Sequence, residues 1–197
     1  MPVNGPRRFS QAISEGDGIS LLALVETAED IARLDNERAD AVLVSPAHDA
    51  LVEQVRTVTS LPLIAQWAGN PPADLDGIDA CVLAVSSDAE WLERTYGALR
   101  DAVELAFWIE NEEELESALE GYDPEIFVLA APDLDGEEAL EHVLDLLPDV
   151  PAGKLAIAEL PGSGREDIGA LERAGVDGVI VEAERVAAVA GHEPPDV

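Results

Sequence analysis

The segment Lys154–Glu184 (KLAIAELPGSGREDIGALERAGVDGVIVEAE) constrains the fold of this chain more than any other. It opens with an apolar run, Lys154–Glu159, that ends in an acid. The breakers Pro161–Gly164 follow, and then Ile168, Leu171 and Ala174 recur at helical spacing. Gly175 stops that helix, and a second apolar run, Asp177–Val181, comes next. Strands that are apolar almost throughout and joined by a helix belong to parallel sheets covered by helices. The connection of about 20 residues fits a βαβ crossover.

The same alternation recurs along the chain. Further apolar runs stand at Ile19–Glu26, Asp40–Ser45, Leu61–Trp67, Asp79–Ser86, Val103–Glu110 and Glu125–Ala130. Helical patterns lie between or after them at Ala28–Asn36, His48–Thr59, Asp88–Arg100, Glu112–Gly121, Gly136–Leu147 and Glu166–Ala174. Only Gly69–Gly77 (GNPPADLDG) has too many breakers for a helix. Eight buried-type strands alternating with helices predict an α/β protein, a compact (β/α)8 TIM barrel in one domain. The barrel spans 19–190, after a polar lead-in (1–18) and before a polar tail (191–197). In the lead-in, Phe9, Ala12 and Ile13 suit a short helix that plugs one end. The rival architecture is an open doubly wound sheet, but no GxGxxG follows the first strand and nothing marks a switch point. ADAVLV (Ala39–Val44), GIDACVLAV (Gly77–Val85) and GVDGVIV (Gly175–Val181) repeat one pattern, with an Asp at the start of a strand, and read as packing.

Composition sets the partners and the solvent. The 197 residues carry 42 acids against 11 basic residues, a net charge of −31, and Lys154 is the only lysine. Acids spread over helix surfaces repel one another at low salt and are screened at high salt, which points to a salt-rich cytosol such as a halophile's. The charge excludes nucleic acid and anionic membrane as partners, since both need a basic footprint. Cys81 lies inside an apolar run, as a small buried hydrophobe does. No apolar run approaches the length of a membrane span or a signal sequence, so a cytoplasmic protein is expected.

In such a barrel, chemistry sits at the C-terminal ends of the strands. Those ends are Glu26, Ser45, Gln66, Ser86 with Ser87, Glu110, Ala130 with Ala131, Glu159 and Glu182. Glu159, Glu110 and Glu26 are the candidate catalytic carboxylates, suited to acid–base work or to a metal-assisted reaction. Glu159 leads them, because it ends a wholly apolar strand and precedes PGSG. Gly162, Ser163, Gly164 and Arg165 offer backbone N–H groups, a helix N-terminus and a guanidinium to a small phosphorylated molecule. Glu182 and Glu184, after the eighth strand, oppose that reading. His48, His142 and His192 are too dispersed for a metal site, and no cofactor is expected. Oligomeric state is left open.

From about Phe9 to Val186 the chain resembles indole-3-glycerol phosphate synthase, the barrel enzyme of tryptophan biosynthesis. WIENEEELESALEGYDPEIFVLAAPDL (Trp108–Leu134), PAGKLAIAEL (Pro151–Leu160) and REDIGALERAGVDGVIVEA (Arg165–Ala183) carry the likeness. The resemblance implies the barrel fold and, for an active member, a carbon–carbon lyase that closes an indole ring by general acid catalysis from a lysine. Glutamates, an asparagine and an arginine assist in that family. Against its motifs, Glu159 matches, whereas Trp108 stands for a glutamate and Ala130-Ala131-Pro132 for Asn-Asn-Arg. Gln66 stands for a lysine and Glu182 for the phosphate-binding glycine. Leu24–Asp30 (LVETAED) replaces both the strand-one lysine and the phosphate loop. The resemblance therefore implies a divergent member without the standard activity, a pseudoenzyme or interaction protein. The alternatives are an active lyase using substitutes, or another small-phosphate or metal-assisted enzyme built on the rim acids. Ser60–Leu92 is also similar to the middle strands of geranylgeranylglyceryl phosphate synthases, over a shorter stretch.

Overall fold

A computed structural model describes residues 7–16, 18–67, 69–71, 75–85 and 88–190. The strands are β1 (Ser20–Val25), β2 (Ala41–Ala47), β3 (Leu63–Trp67), β4 (Ala80–Ala84), β5 (Glu104–Ile109), β6 (Ile126–Ala130), β7 (Leu155–Glu159) and β8 (Gly178–Glu182). They pair in sequence order, and β8 closes on β1 through Leu22↔Ile180 and its neighbours, all in parallel. The helices are α1 (Arg8–Ser14), α2 (Ala28–Ile31), α3 (Asp49–Val58), α4 (Ala89–Leu99), α5 (Glu112–Gly121), α6 (Gly136–Leu146), α7 (Arg165–Ala174) and α8 (Val186–Val189). The (β/α)8 barrel expected from the repeat is the fold.

Strand alternation sorts the apolar residues into two layers. One face of the strands forms the barrel interior, from Leu22, Leu43, Ile64, Val82, Val128, Ile157 and Ile180 among others. The alternate residues, such as Val42, Leu63, Leu83, Phe107, Phe127 and Val179, pack against the helices. Burial on both faces explains why the strands read as continuous apolar runs. Phe9 and Ile13 of α1 are fully buried in the interior layer and plug its N-terminal end. Glu104, at the start of β5, holds the plug by accepting from the Phe9 and Ser10 amides at 2.8 and 3.2 Å.

The Asp-initiated repeats have a common structural job. Asp40 Oδ2 accepts from Leu21 N at 2.8 Å, Asp79 Oδ2 from Leu63 N at 2.9 Å, and Asp177 Oδ2 from Ala156 N at 2.8 Å. In each case the aspartate's own amide donates to the carbonyl of that same residue, at 2.8, 2.9 and 2.9 Å. Each aspartate thus satisfies both backbone groups at the entrance of the preceding strand and joins two strands before the regular ladder begins. Burial lifts the Asp177 carboxyl above its usual range, and the bond from Ala156 opposes that rise.

Two connections differ from expectation. The helix expected over Ala28–Asn36 stops at Ile31. The next residues form turns, in which Asp35 takes the Glu37 amide and the Arg38 guanidinium; short acidic side chains compete with helix in this way. β2 runs two residues past its expected end, through a cis Ser45–Pro46 bond to Ala47. Between β3 and β4 the described residues form no helix, as the breakers predict. No helix among the described residues is long and apolar enough to cross a membrane. Ser86, Ser87, His192 and the tail 191–197 lie outside the described residues, as do residues 1–6 of the lead-in.

Candidate functional site

At the C-terminal rim, alternation brings Ser45, Gln66, Trp108, Glu159 and Glu182 into phase with the interior residues of their strands. Glu26, just past β1, keeps the phase of Leu22 and is exposed. The expected rim acids thus face one mouth, but they are not equivalent.

Glu159 is the perturbed one. Burial raises its carboxyl pKa, the nearby negative charge of Glu26 raises it further, and together they push it up to about 7. A carboxylic acid with that pKa is poised to hold or release a proton near neutral pH. Its linkage to stability has a definite sign. The unfolded group titrates near 4.5 and the folded one near 7. The native state therefore binds more protons between those values, and stability falls as pH rises through the window. A Glu159→Gln variant lacks this loss. Its melting temperature relative to the parent should rise from pH 5 to pH 8, by the equivalent of about 2 kcal/mol. A flat difference across that range would show the carboxyl to be unperturbed.

Glu110 is committed locally. Its Oε1 accepts from Trp108 Nε1 at 3.0 Å, its amide donates to Glu114 Oε2 at 2.8 Å, and its carbonyl meets His142 Nε2 at 2.7 Å. Asn111 beside it caps α5 by accepting from Glu114 N at 3.0 Å. Trp108 packs on the interior cluster, so an indole fills space at the mouth and is pinned there by Glu110. Across the barrel, Ser45 Oγ donates to Gln66 Oε1 at 2.7 Å.

The phosphate-type loop is largely self-satisfied. The Gly164 amide donates to Asp167 Oδ2 at 2.8 Å, placing a carboxylate at the N-terminus of α7. Ser163 is buried, its amide donates to Leu160 O at 3.0 Å, and its carbonyl accepts from Arg185 at 3.1 Å. Arg165 donates to Ala188 O at 2.7 Å, while Gly162 is exposed. The groups named for phosphate are gathered in one loop, and most of their donors already have acceptors.

Lys154 lies at the opposite end, just before β7, within 3.0 Å of Asp123 and 3.1 Å of Glu125. Burial works against its ammonium, but the two carboxylates outweigh it and hold the pKa above the usual lysine value. His48 caps α3, its Nδ1 accepting from Leu51 N at 3.2 Å, and His142 braces α6 against Glu110. Among the described residues no three of His, Cys, Asp and Glu converge in a metal-holding group. Spacing did not reveal Trp108 as a mouth filler or the Ser45–Gln66 bond, although strand phase predicts that both sets face inward.

No protein-family model matches the chain. In sequence it is 26% identical over 185 residues to an indole-3-glycerol phosphate synthase of Variovorax paradoxus, covering 89% of this chain and 65% of that protein. The chain thus spans just under two thirds of its relative's length. Among solved structures, a mutant tryptophan synthase α-subunit from the hyperthermophile Pyrococcus furiosus superposes with a TM-score of 0.66 at 16% identity, covering 87% of this chain and 90% of that one. A second mutant of the same subunit gives 0.64 at 16%, covering 89% and 91%. At that identity the structural likeness bears on the fold alone. The chain is a TIM barrel similar to indole-3-glycerol phosphate synthase.

Proposed function

We propose that this barrel does not carry out the ring closure of the synthases it resembles and serves as a non-catalytic binding or interaction protein. The observation that carries this reading is the position of Lys154. The one lysine sits at the N-terminal end of β7, tied to Asp123 and Glu125, a full strand away from the rim. The mouth itself presents Trp108, Ser45, Gln66 and carboxylates. A general acid of lysine type, which the resemblance implies for activity, has no counterpart there. Phosphate binding meets the same obstacle, because Asp167 already occupies the N-terminus of α7 and a second anion beside it is repelled.

The test is formation of indole-glycerol phosphate from the carboxyphenylamino-deoxyribulose phosphate substrate of that family, followed by fluorescence in molar KCl with protein shown to be folded. No turnover above the uncatalysed rate is expected. Turnover that disappears in Glu159→Gln would overturn the proposal.

One observation favours a second reading, an enzyme of another kind. Glu159, with its pKa pushed up to about 7, has the proton affinity of a general acid or base at neutral pH, and Glu26 lies near enough to act on it electrostatically. In that reading the pair catalyses a proton transfer on an uncharged or cationic substrate, since the inward-phase acids Glu26, Glu159 and Glu182 repel an anionic one. A bell-shaped rate profile with one limb near pH 7, lost in Glu159→Gln, would select it.

A further inference from the structure

A cavity lies at the other end of the barrel. It holds about 530 Å3 between the C-terminal ends of α4 and α5 and the plug helix α1, with Arg7, Ser10, Tyr96, Arg100 and Tyr122 among its walls. That volume is in the range of small-molecule sites. Tyr96, Phe107 and Tyr122 form a ring cluster beside it, with centroids 4.8 Å apart for the tyrosine pair and 5.1 Å for Phe107 and Tyr122. The Arg100 guanidinium lies 5.9 Å from the Tyr96 ring centroid.

Charge decides what this cavity would take. Five acids also border it, and each is in contact with another group. Asp79 is bonded to Arg56 and Arg8, and Glu104 to the first amides of α1. Asp123 and Glu125 hold Lys154, and Asp101 is exposed and 3.9 Å from Arg100. Two of the closing carbonyls of these helices are also taken. Leu99 O accepts from Ala102 N and Val103 N, and Ala118 O from Tyr122 N and Asp123 N. The cations are less committed. Among the described residues the Arg7 guanidinium has no hydrogen bond or ion pair, and Arg100 has only the 3.9 Å contact and the Tyr96 ring. In a chain of net charge −31, two under-engaged guanidiniums on one cavity beside tyrosine rings are a selective arrangement.

We propose that this cavity is a binding site for a small aromatic carboxylate, its ring against Tyr96 and Tyr122 and its carboxylate held by Arg100 and Arg7. Guanidinium–carboxylate pairing is charge-assisted and forked, and it survives the molar salt that screens the distant acids. The site lies at the N-terminal face and is independent of the reading of the rim.

The experiment uses the full chain in molar KCl, with 2-naphthoate, 2-naphthamide and 2-naphthylmethylamine titrated calorimetrically as probes of one shape and three charges. Saturable binding is expected for the carboxylate, weaker for the amide and absent for the amine. R100Q should weaken 2-naphthoate by about tenfold, as loss of a charge-assisted pair does. Arg94→Gln, on α4 just before Arg100 but outside the cavity walls, should leave it unchanged. Arg100 is exposed, so R100Q should fold, and circular dichroism checks it. Absence of saturable binding, preference for the amine, or equal affinity in R100Q would each overturn the proposal.

Discussion

Transferring the protein from molar to about 10 mM KCl should unfold it or lower its melting temperature steeply. The Debye length grows from about 3 Å to about 30 Å over that range, so each carboxylate goes from sensing its neighbours to sensing the whole barrel. The acids stand on outer helix surfaces: Glu112, Glu113, Glu116 and Glu120 of α5, Glu90 and Glu93 of α4, and Glu137, Glu138, Glu141 and Asp145 of α6 are all exposed. In α5, Glu112, Glu116 and Glu120 follow one another at four-residue spacing, and the last turn has no basic residue to offset them. If the unscreened repulsion amounts to about 5 kcal/mol, the midpoint shifts by roughly 10–20 °C for a chain of this size. Thermal scans by circular dichroism across a KCl series measure it. An unchanged midpoint would mean that the acids are balanced by short-range pairs, and the salt-rich setting would lose its support.

The barrel was legible because nearly every strand is buried on two faces, which leaves an apolar run that needs no partner to be recognised. The clamps by Asp40, Asp79 and Asp177 appeared in the sequence only as a repeated packing unit. Their chemistry depends on which strand lies alongside, and spacing along one chain does not contain that. The rim shows the same limit. Glu26, Glu110 and Glu159 look alike as strand-ending acids. Only the closed barrel leaves Glu159 buried with Glu26 near it while Trp108 and α5 engage Glu110. Helix α2 is shorter than its apolar period suggests, because Leu34 continues that period whereas Asp35 turns its side chain onto the local backbone.

Among the aspartate clamps, Asp79→Ala should be the most damaging. Its Oδ2 accepts from the Leu63 amide at 2.9 Å and from Arg56 Nη2 at 2.7 Å, and Arg8 Nη1 lies 3.3 Å from Oδ1. Its backbone also pairs on both sides, with Leu63 O and Glu104 N. One residue therefore ties β3, β4 and β5 to α1 and α3. Arg56, only 20% exposed, donates as well to Leu61 O and Gly77 O, so it stays in place when the carboxylate is removed. The alanine variant leaves a buried amide without an acceptor and a half-buried guanidinium without its counter-ion, a loss of about 3–4 kcal/mol. Arg8 is 43% exposed and adds little. Asp40→Ala removes the Leu21 bond alone and should cost about 1–2 kcal/mol. Urea unfolding in molar KCl compares the two. A cost for Asp79→Ala no greater than for Asp40→Ala would mean that Arg56 gains nothing from the pair, and the aspartates would then act only as acceptors for strand-entry amides.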